Sequence, residues 1–239
     1  AAATTGTDVE VPISTGVDVR LTNRDVILAR KDVDITNRQG GNYAASLEVP
    51  IAGGAGFSVR FLRGWAAVDA ALEGEVIRFV STHLERATAP TIQVLQAGEL
   101  RQIVKRSPHP VILVGDFNSR ADASGTASYS LFAERGFVDA WSQANPGAAG
   151  YTCCQAEDLS NPVTRLNERI DHVFTRGPLT ATAALIMGGG LTGRTVSGLW
   201  PSDHAGVVVR LQMGAVGAAT KERTVDVGTR KETVASLPF

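Results

Sequence analysis

The sequence predicts a domain of the α/β (α+β) class, in which helices cover the faces of a β-sheet. Two observations support this class. Short apolar or alternating segments typical of strands outnumber helical patterns, and one segment with a clear helical period lies between two of them. The 239 residues, 44% of them hydrophobic, are also enough to bury a sizeable core. Length alone allows one large domain or two small ones.

The predicted strands are short runs of apolar or alternating residues bounded by polar or turn-forming residues. They span residues 25–30, 57–72, 75–84, 110–117, 169–175 and 205–213. Gly74 marks a turn between the second and the third of these segments. We therefore expect these two strands to form an antiparallel hairpin.

The clearest helix is predicted within residues 88–107, where Pro90 suits the first turn and Lys105 the carboxyl end. Its apolar residues fall on one face with a period of 3.6 residues. They are Ile92, Leu95, Leu100, Ile103 and Val104. A shorter helix is predicted at residues 128–136, ending at Gly136.

The last 26 residues differ in composition from the rest of the chain. Residues 214–239 mix small residues and scattered charges without a sustained period. We expect a domain over residues 1–213, followed by a loose tail over residues 214–239.

Charge and hydropathy limit the classes of function. Lys and Arg number 23 and Asp and Glu 24, so no overall positive field attracts nucleic acid, although a local basic groove remains open. No apolar run approaches the roughly 18 to 20 residues that span a bilayer. Residues 1–12 lack the basic start and the apolar stretch of a signal peptide. A soluble protein of unknown compartment is expected; secretion would need a signal peptide upstream.

The two cysteines are adjacent, at Cys153 and Cys154. Neighbouring cysteines rarely close an ordinary disulfide because their Cβ vectors diverge. A zinc site would need two spaced pairs or additional histidines at ligand spacing, which the sequence lacks. We expect two packed thiols.

Polar residues interrupt or follow several predicted strands. Asp116 and Asn118 are two positions apart at the end of an apolar run, so both project from one face if the strand continues. A carboxylate and an amide placed there could hold a hard divalent cation beside a phosphate oxygen. Alternatively, Asp116 could form a turn after Gly115, with Asn118 making an Asx-turn.

Four further residues follow the same pattern. His83 follows one apolar run, Asp171 lies within another, and Asp203 with His204 precedes a third. His83 could be a hydrogen-bonded interior histidine, and Asp203 and His204 could simply cap the last strand. Asp171 is different, because an acid in a buried strand is costly unless it is paired.

The segments "THL", "GDFN", "RIDHV" and "SDH", in this order, resemble the endonuclease/exonuclease/phosphatase superfamily, with its deoxyribonuclease-like and sphingomyelinase-like members. The resemblance covers about Val19 to Leu211. It implies a four-layer αββα sandwich. It also implies a metal-dependent phosphoric ester hydrolase, acting on phosphodiesters or phosphomonoesters, usually with Mg²⁺; Mn²⁺ or Ca²⁺ would also be consistent.

The resemblance also implies roles for the matched residues. His204 corresponds to the general base that takes a proton from the attacking water, and Asp171 to the acid that orients this imidazole. Asp116 and Asn118 correspond to the pair that positions water, metal and phosphate. His83 corresponds to a phosphate-contacting histidine, and Asp203 to an acid that helps to hold the metal. The implied metal ligands are thus Asp203, Asp116 and Asn118.

One part of the superfamily pattern is missing. Its members begin with a strand that bears an asparagine, followed by a strand that ends in a metal-binding glutamate, commonly in a "QE" context. Glu10 and Glu48 stand in different surroundings. We therefore expect a chain that is incomplete at its N-terminus. The alternative function is a catalytically weak or inactive relative that binds a phosphorylated ligand or a partner protein.

The substrate remains open among nucleic acid, phospholipid and a small phosphate ester. Nucleic acid would call for basic residues near the site, and five arginines are candidates. They are Arg63, Arg86, Arg120, Arg165 and Arg169. A lipid would call for an apolar rim, which Trp65, Trp141 and Trp200 could supply. Trp200, directly before "PSDH", is expected to be the best placed of the three to approach a substrate.

Overall fold

The structure is a computed structural model that describes residues 3–14, 17–50, 58–214, 223–227 and 230–234. The helices are α1 (Pro90–Lys105), α2 (Ser128–Ala133) and α3 (Ala140–Ala144). The strands are β1 (Ala3–Ser14), β2 (Val17–Ile27), β3 (Asp34–Asn42), β4 (Leu47–Pro50), β5 (Ser58–Phe61), β6 (Gly64–Leu72), β7 (Glu75–His83), β8 (Val111–Asp116), β9 (Val138–Asp139), β10 (Asp171–Arg176), β11 (Leu179–Met187), β12 (Gly206–Met213), β13 (Arg223–Val227) and β14 (Arg230–Val234).

The centre of the fold is a mixed six-stranded sheet in the order β3-β6-β7-β8-β10-β9. Strands β7 and β8 are parallel, because helix α1 carries the chain back across the sheet between them. The other neighbours in this sheet are antiparallel. The remaining strands pair two by two, as β1-β2, β4-β5, β11-β12 and β13-β14.

One face of the six-stranded sheet packs against helices α1 and α2. Val80, Leu113 and Phe174 point to this side from three adjacent strands. They form one core with Leu100 of α1 and Phe132 of α2, and all five side chains are fully buried. Alternate strand residues therefore supply the helical face, as the two-residue period of a strand requires.

The opposite face packs against β-hairpins. Ile112 and Val173 point to this side and share a core with Leu179 of β11. Farther along the face, Ile27 of β2 packs against Ala66 of β6. Helices α1 and α2 thus cover one face of the sheet, and paired strands together with the short helix α3 cover the other, which confirms the predicted α/β sandwich.

Several predicted elements are confirmed. Strands β6 and β7 form the antiparallel hairpin that turns at Glu73 and Gly74. Helix α1 begins at Pro90 and ends with Lys105 in its last turn. The predicted apolar face of this helix was partly wrong, since Leu95 is 55% exposed. Gln93 and Gln96 are fully buried instead, because their amides bind backbone groups near the site described below.

Other segment boundaries differ from the prediction. The strand expected at residues 25–30 ends at Ile27, and the one expected at residues 57–72 is divided into β5 and β6. Within residues 214–239, β13 and β14 form an antiparallel hairpin that the composition did not predict. That this segment is a loosely attached tail stays a prediction. Across the described residues, no helix combines the length and the hydropathy needed to cross a membrane.

Candidate active site

Three predicted site residues lie side by side at one edge of the six-stranded sheet. His83 at the end of β7 pairs in register with Asp116 at the end of β8. Asp116 pairs in register with Asp171, the first residue of β10. Neighbouring strands lie about 4.8 Å apart, so the three side chains form a short row across the sheet edge.

His204 joins this row from the segment before β12. Backbone contacts fix the segment: the Ala205 N–H donates to the Thr152 carbonyl at 2.7 Å, and Cys153 forms a bridge with His204. The Nδ1 atom of His204 lies 2.8 Å from Oδ2 of Asp171. The predicted partner for the acid in β10 is therefore an imidazole.

A compact group of ligand atoms results. One donor atom each of Asp116, Asp171 and His204 lie within 4.8 Å of one another. Two carboxylates and one imidazole are ligands that bind divalent cations in proteins. The group could hold a divalent cation, but Asp171 and His204 are engaged with each other at 2.8 Å, and Asp116 is the member that takes no part in that contact.

Asn118 reaches the same place by a turn. Strand β8 ends at Asp116, and Asn118 has a φ of 48°, in the left-handed region. The Asn118 N–H donates to Oδ1 of Asp116 at 2.7 Å, which holds the turn. The expectation that a continuing strand aligns the two side chains was therefore wrong, and the alternative Asx-turn is present.

The side chain of Asn118 connects the turn to the end of β7. Its Nδ2 atom donates to the Leu84 carbonyl at 2.9 Å and lies 3.2 Å from Nε2 of His83. Oδ2 of Asp116 lies 3.2 Å from the same imidazole nitrogen. Arg63 approaches His83 from the other side, with Nη1 3.0 Å from Nε2, and Arg63 also pairs with Glu85 at 3.3 Å.

The charges at this edge perturb one another. Burial would raise the pKa of Asp116, but its contact with His83 holds it below the ordinary value. Burial raises the pKa of Asp171, against the hydrogen bond from His204. That hydrogen bond raises the pKa of His204 to about 9, against the opposing effect of burial. The pair therefore favours a proton on the imidazole.

Asp25 is an acid near the site that the sequence analysis missed. Burial raises its pKa to about 7, while the charges of His83 and Arg63 act in the opposite direction. Its carboxyl group is thus within electrostatic reach of His83 and Arg63. Asp25 began a predicted strand, but its register on β2 brings it to this edge, and local sequence does not reveal that.

Two buried glutamines of α1 also escaped the sequence analysis. Nε2 of Gln93 donates to the Glu85 carbonyl at 2.7 Å and to the Asn118 carbonyl at 2.8 Å. Oε1 of Gln96 accepts from the Glu85 N–H at 2.7 Å. They hold the loop after β7 and the turn after β8 together, and so position His83 relative to Asn118.

All six predicted site residues line one cleft of about 660 Å³. They are His83, Asp116, Asn118, Asp171, Asp203 and His204. Asp203 is exposed and lies outside the compact group of ligand atoms. Of the two glutamates considered for the missing ligand, Glu48 is exposed on β4, and the side chain of Glu10 lies outside the described part of the chain.

The tryptophans do not form a rim around this cleft. Trp200 is 1% exposed, and its Nε1 donates to the Asn161 carbonyl at 2.7 Å. The expectation that Trp200 approaches a substrate was therefore wrong, because its indole belongs to the core. Trp141 is also buried, and Trp65 packs against the helical core.

Two of the candidate arginines, Arg63 and Arg86, line the cleft. Arg120 forms an ion pair with Glu168, which lines the cleft. Arg165 is exposed and is not among the residues that line it. Arg169 is buried and donates to Asp139 at 2.6 Å, which is a structural use. Positive charge at the cleft is therefore local and modest.

The adjacent cysteines also line the cleft, and they are joined as a disulfide, so the expectation of two packed thiols was wrong. The backbone brings their Cα atoms within 3.1 Å, and a cis peptide connects them. Cys153 is 1% exposed, whereas Cys154 is exposed.

Comparisons with known proteins agree with this geometry. A model of the Endonuclease/Exonuclease/phosphatase family matches residues 19–204. A mannosyl-6-phosphatase of Bacteroides thetaiotaomicron has a similar structure, with 20% identity, a TM-score of 0.57 and coverage of 77% of this chain and 69% of that one. No curated protein matches the sequence.

Two further solved structures share the fold. D. rerio TDP2, complexed with a single-strand DNA product, is 18% identical with a TM-score of 0.57, covering 87% of this chain and 77% of that one. Another Bacteroides thetaiotaomicron protein, described as an endonuclease/exonuclease/phosphatase family protein, is 17% identical with a TM-score of 0.58, covering 88% and 76%. At these identities the likeness shows the fold.

The sandwich fold and the family match define a phosphoric ester hydrolase. The chain belongs to the endonuclease/exonuclease/phosphatase family.

Proposed function

We propose that this protein hydrolyses phosphoric esters with the help of a divalent cation, and that His204 takes the proton from the attacking water. The observation that supports this most strongly is the 2.8 Å contact between His204 and Asp171, beside Asp116 in one cleft. A bound phosphate there would meet acid, imidazole and amide groups at once.

The proposed base acts through its free ring nitrogen. Nδ1 of His204 faces Asp171, which leaves Nε2 to accept a proton from water. Asp171 holds the imidazole in one orientation and stabilises the imidazolium that forms. Because the pKa of His204 is raised to about 9, the neutral, proton-accepting form becomes more populated as the pH rises towards 9, and hydrolysis should increase over that range.

The opposite side of the row is suited to the phosphate. His83, Asn118 and Arg63 carry N–H groups close together there, and such groups donate to phosphate oxygens. Arg86, which is exposed, adds a second guanidinium at the cleft beside the half-buried Arg63. We assign phosphate contact to His83 and positioning of water and phosphate to Asn118.

The implied cation fits the carboxylates of the cleft. Asp116, Asn118 and Asp203 line the cleft and would hold it, and Asp25, within electrostatic reach of His83 and Arg63, is a further candidate ligand. Asp25 supports this reading because burial raises its pKa to about 7, and a nearby cation would compensate the charge of the buried carboxylate. When bound, the ion would neutralise charge on the phosphate and the leaving oxygen. Oxygen ligands favour Mg²⁺, with Mn²⁺ or Ca²⁺ as further candidates.

Nucleic acid and small phosphate esters are the substrate classes that the cleft supports better. Arg63 and Arg86 supply charge for a phosphate backbone, while the buried indole of Trp200 removes the best candidate for a lipid-binding rim. The similar structures include a sugar phosphatase and a protein bound to a DNA product. The inactive binding module is not favoured, because the imidazole and its acid are assembled at hydrogen-bond distance.

A substrate panel tests this proposal. Single-stranded and duplex DNA, sphingomyelin vesicles, sugar phosphates and bis-(p-nitrophenyl) phosphate are each assayed with Mg²⁺, Mn²⁺, Ca²⁺ or a chelator. We expect hydrolysis of at least one DNA or small-ester substrate that requires a divalent ion. Absence of turnover on every substrate with every ion would contradict the proposal.

A further inference from the structure

The disulfide between Cys153 and Cys154 lies against the residue to which the base is assigned. Cys153 bridges two segments of the site: its N–H donates to the Glu168 carbonyl at 3.0 Å, and it pairs across to His204. On the far side of the pair, the Gln155 N–H donates to the Asp203 carbonyl at 2.8 Å. These contacts hold the backbone of both cysteines next to the segment that carries the imidazole.

These three side chains have the spacing of a metal site. One ligand atom from each of Cys153, Cys154 and His204 lie within 4.8 Å of one another. Two sulfurs bound tetrahedrally to zinc at about 2.3 Å lie about 3.8 Å apart, so the two sulfurs must separate once the disulfide is reduced. His204 lies 50 positions downstream of Cys154, so the spacing of the cysteines alone does not predict this group.

We propose that reduction of this disulfide creates a site for a thiophilic divalent cation, such as Zn²⁺ or Cd²⁺, held by Cys153, Cys154 and His204. A dithiol gives two electrons and two protons to the disulfide, leaving two thiols, and itself becomes a cyclic disulfide. The thiols lose their protons as the cation binds. Sulfur and imidazole ligands select such cations over Mg²⁺, which prefers oxygen.

The consequence for hydrolysis follows from the shared imidazole, and this part rests on the proposed function. Nδ1 of His204 faces Asp171, so a cation held by the sulfurs takes the remaining nitrogen. That nitrogen can then no longer accept a proton from water. A thiophilic cation therefore inhibits the reduced protein and not the oxidised one.

Cadmium absorption tests the site without reference to activity. The protein is reduced with dithiothreitol, freed of reductant under nitrogen and titrated with Cd²⁺, and the ultraviolet cadmium–thiolate absorption is recorded. We expect the absorption to saturate at one equivalent in the reduced protein and to be absent in the oxidised protein. The Cys153→Ser/Cys154→Ser variant, treated alike, should also lack it. No absorption in the reduced wild type would overturn the proposal.

Two further arms test the histidine and the inhibition. The His204→Ala variant should bind Cd²⁺ at least roughly tenfold more weakly, as expected on losing one of three ligands; unchanged affinity would remove His204 from the site. With excess Mg²⁺, Cd²⁺ should inhibit hydrolysis by the reduced protein only. Equal inhibition of both forms would contradict the inhibitory role. If neither form hydrolyses any substrate, the proposed function fails while the absorption still decides the metal site.

Discussion

Asp116 and Asp171 are register partners on adjacent antiparallel strands, 55 positions apart in sequence. Their carboxylates would repel each other if nothing lay between or beside them. His83 lies against the first at 3.2 Å and His204 against the second at 2.8 Å. Each acid thus has its own imidazole, and the proposed function assigns phosphate contact to the first pair and proton acceptance to the second.

The Asp171→Asn variant should separate the orienting acid from the base. Without the carboxylate, the pKa of His204 should fall from about 9 towards its ordinary value of 6.5, because the hydrogen bond to Asp171 is the main cause of the shift. Turnover should fall by roughly 10²- to 10⁴-fold, since the imidazole loses its fixed orientation. NMR titration of the His204 ring in metal-free protein measures the first effect. An unchanged pKa would contradict the pairing.

Asp25→Asn should weaken the binding of the divalent cation in the cleft. If Asp25 adds a ligand carboxylate, half-maximal activity should need roughly ten- to hundredfold more Mg²⁺. Asp34→Asn, at an exposed position on β3, is the matched control and should leave the dependence unchanged. Identical Mg²⁺ curves for Asp25→Asn and wild type would exclude Asp25 from the metal site.

Gln93→Leu should destabilise the protein and loosen the site together. The change leaves the Glu85 and Asn118 carbonyls and the hydroxyls of Thr126 and Ser128 without the amide that they contact. We expect a loss of about 1–3 kcal/mol in the free energy of unfolding. Gln102→Leu, on the exposed side of the same helix, should change it by less than about 0.5 kcal/mol. Urea unfolding measures both, and equal effects would show that the buried amide contributes nothing.

His172 should make the fold sensitive to acid. Burial among aromatic rings lowers its pKa to about 4, and its Nε2 donates to the Ser119 carbonyl at 2.8 Å. A folded-state pKa below the unfolded value of 6.5 means that this stability is present above pH 6.5 and is lost as the pH falls towards 4. The full loss is on the order of 3 kcal/mol.

The His172→Phe variant tests that pH dependence. In this variant the free energy of unfolding should lose less between pH 6.5 and 4 than in the wild type, because the contribution of His172 is absent. Urea unfolding at a series of pH values measures it. His109→Phe changes a partly exposed histidine, and its free energy of unfolding should fall with pH as that of the wild type does. A variant His172→Phe with the same slope as the wild type would show that His172 does not cause the acid sensitivity.

The sequence predicted the parts of the fold that depend on local pattern. The β6–β7 hairpin, helix α1 and the strands around the site follow from periodicity and turn residues. The four short motifs identified residues that the fold brings to one cleft, although composition alone did not show how. Asn118 illustrates the limit: it was expected on a continuing strand and instead reaches the cleft through a left-handed turn.

Tertiary contacts account for the features that were missed. Asp25 comes within electrostatic reach of His83 through the packing of β2, and Gln93 is buried because loop carbonyls need a donor. The disulfide of Cys153 and Cys154 gains a histidine neighbour only when the chain folds back. Trp200 lies next to the site in sequence, yet its indole turns into the core. None of these outcomes has a signal within a few residues of the position concerned.

Replacement of His204 tests the central claim most directly. The rate of Mg²⁺-dependent hydrolysis, on the best substrate of the panel, is compared among wild type, His204→Ala and His109→Ala, with circular dichroism as a check of folding. His109 lies at the opposite end of β8, away from the cleft, and serves as the matched control. We predict a loss of roughly 10²-fold or more for His204→Ala alone. A folded His204→Ala variant with near-normal activity would contradict the assignment of the base.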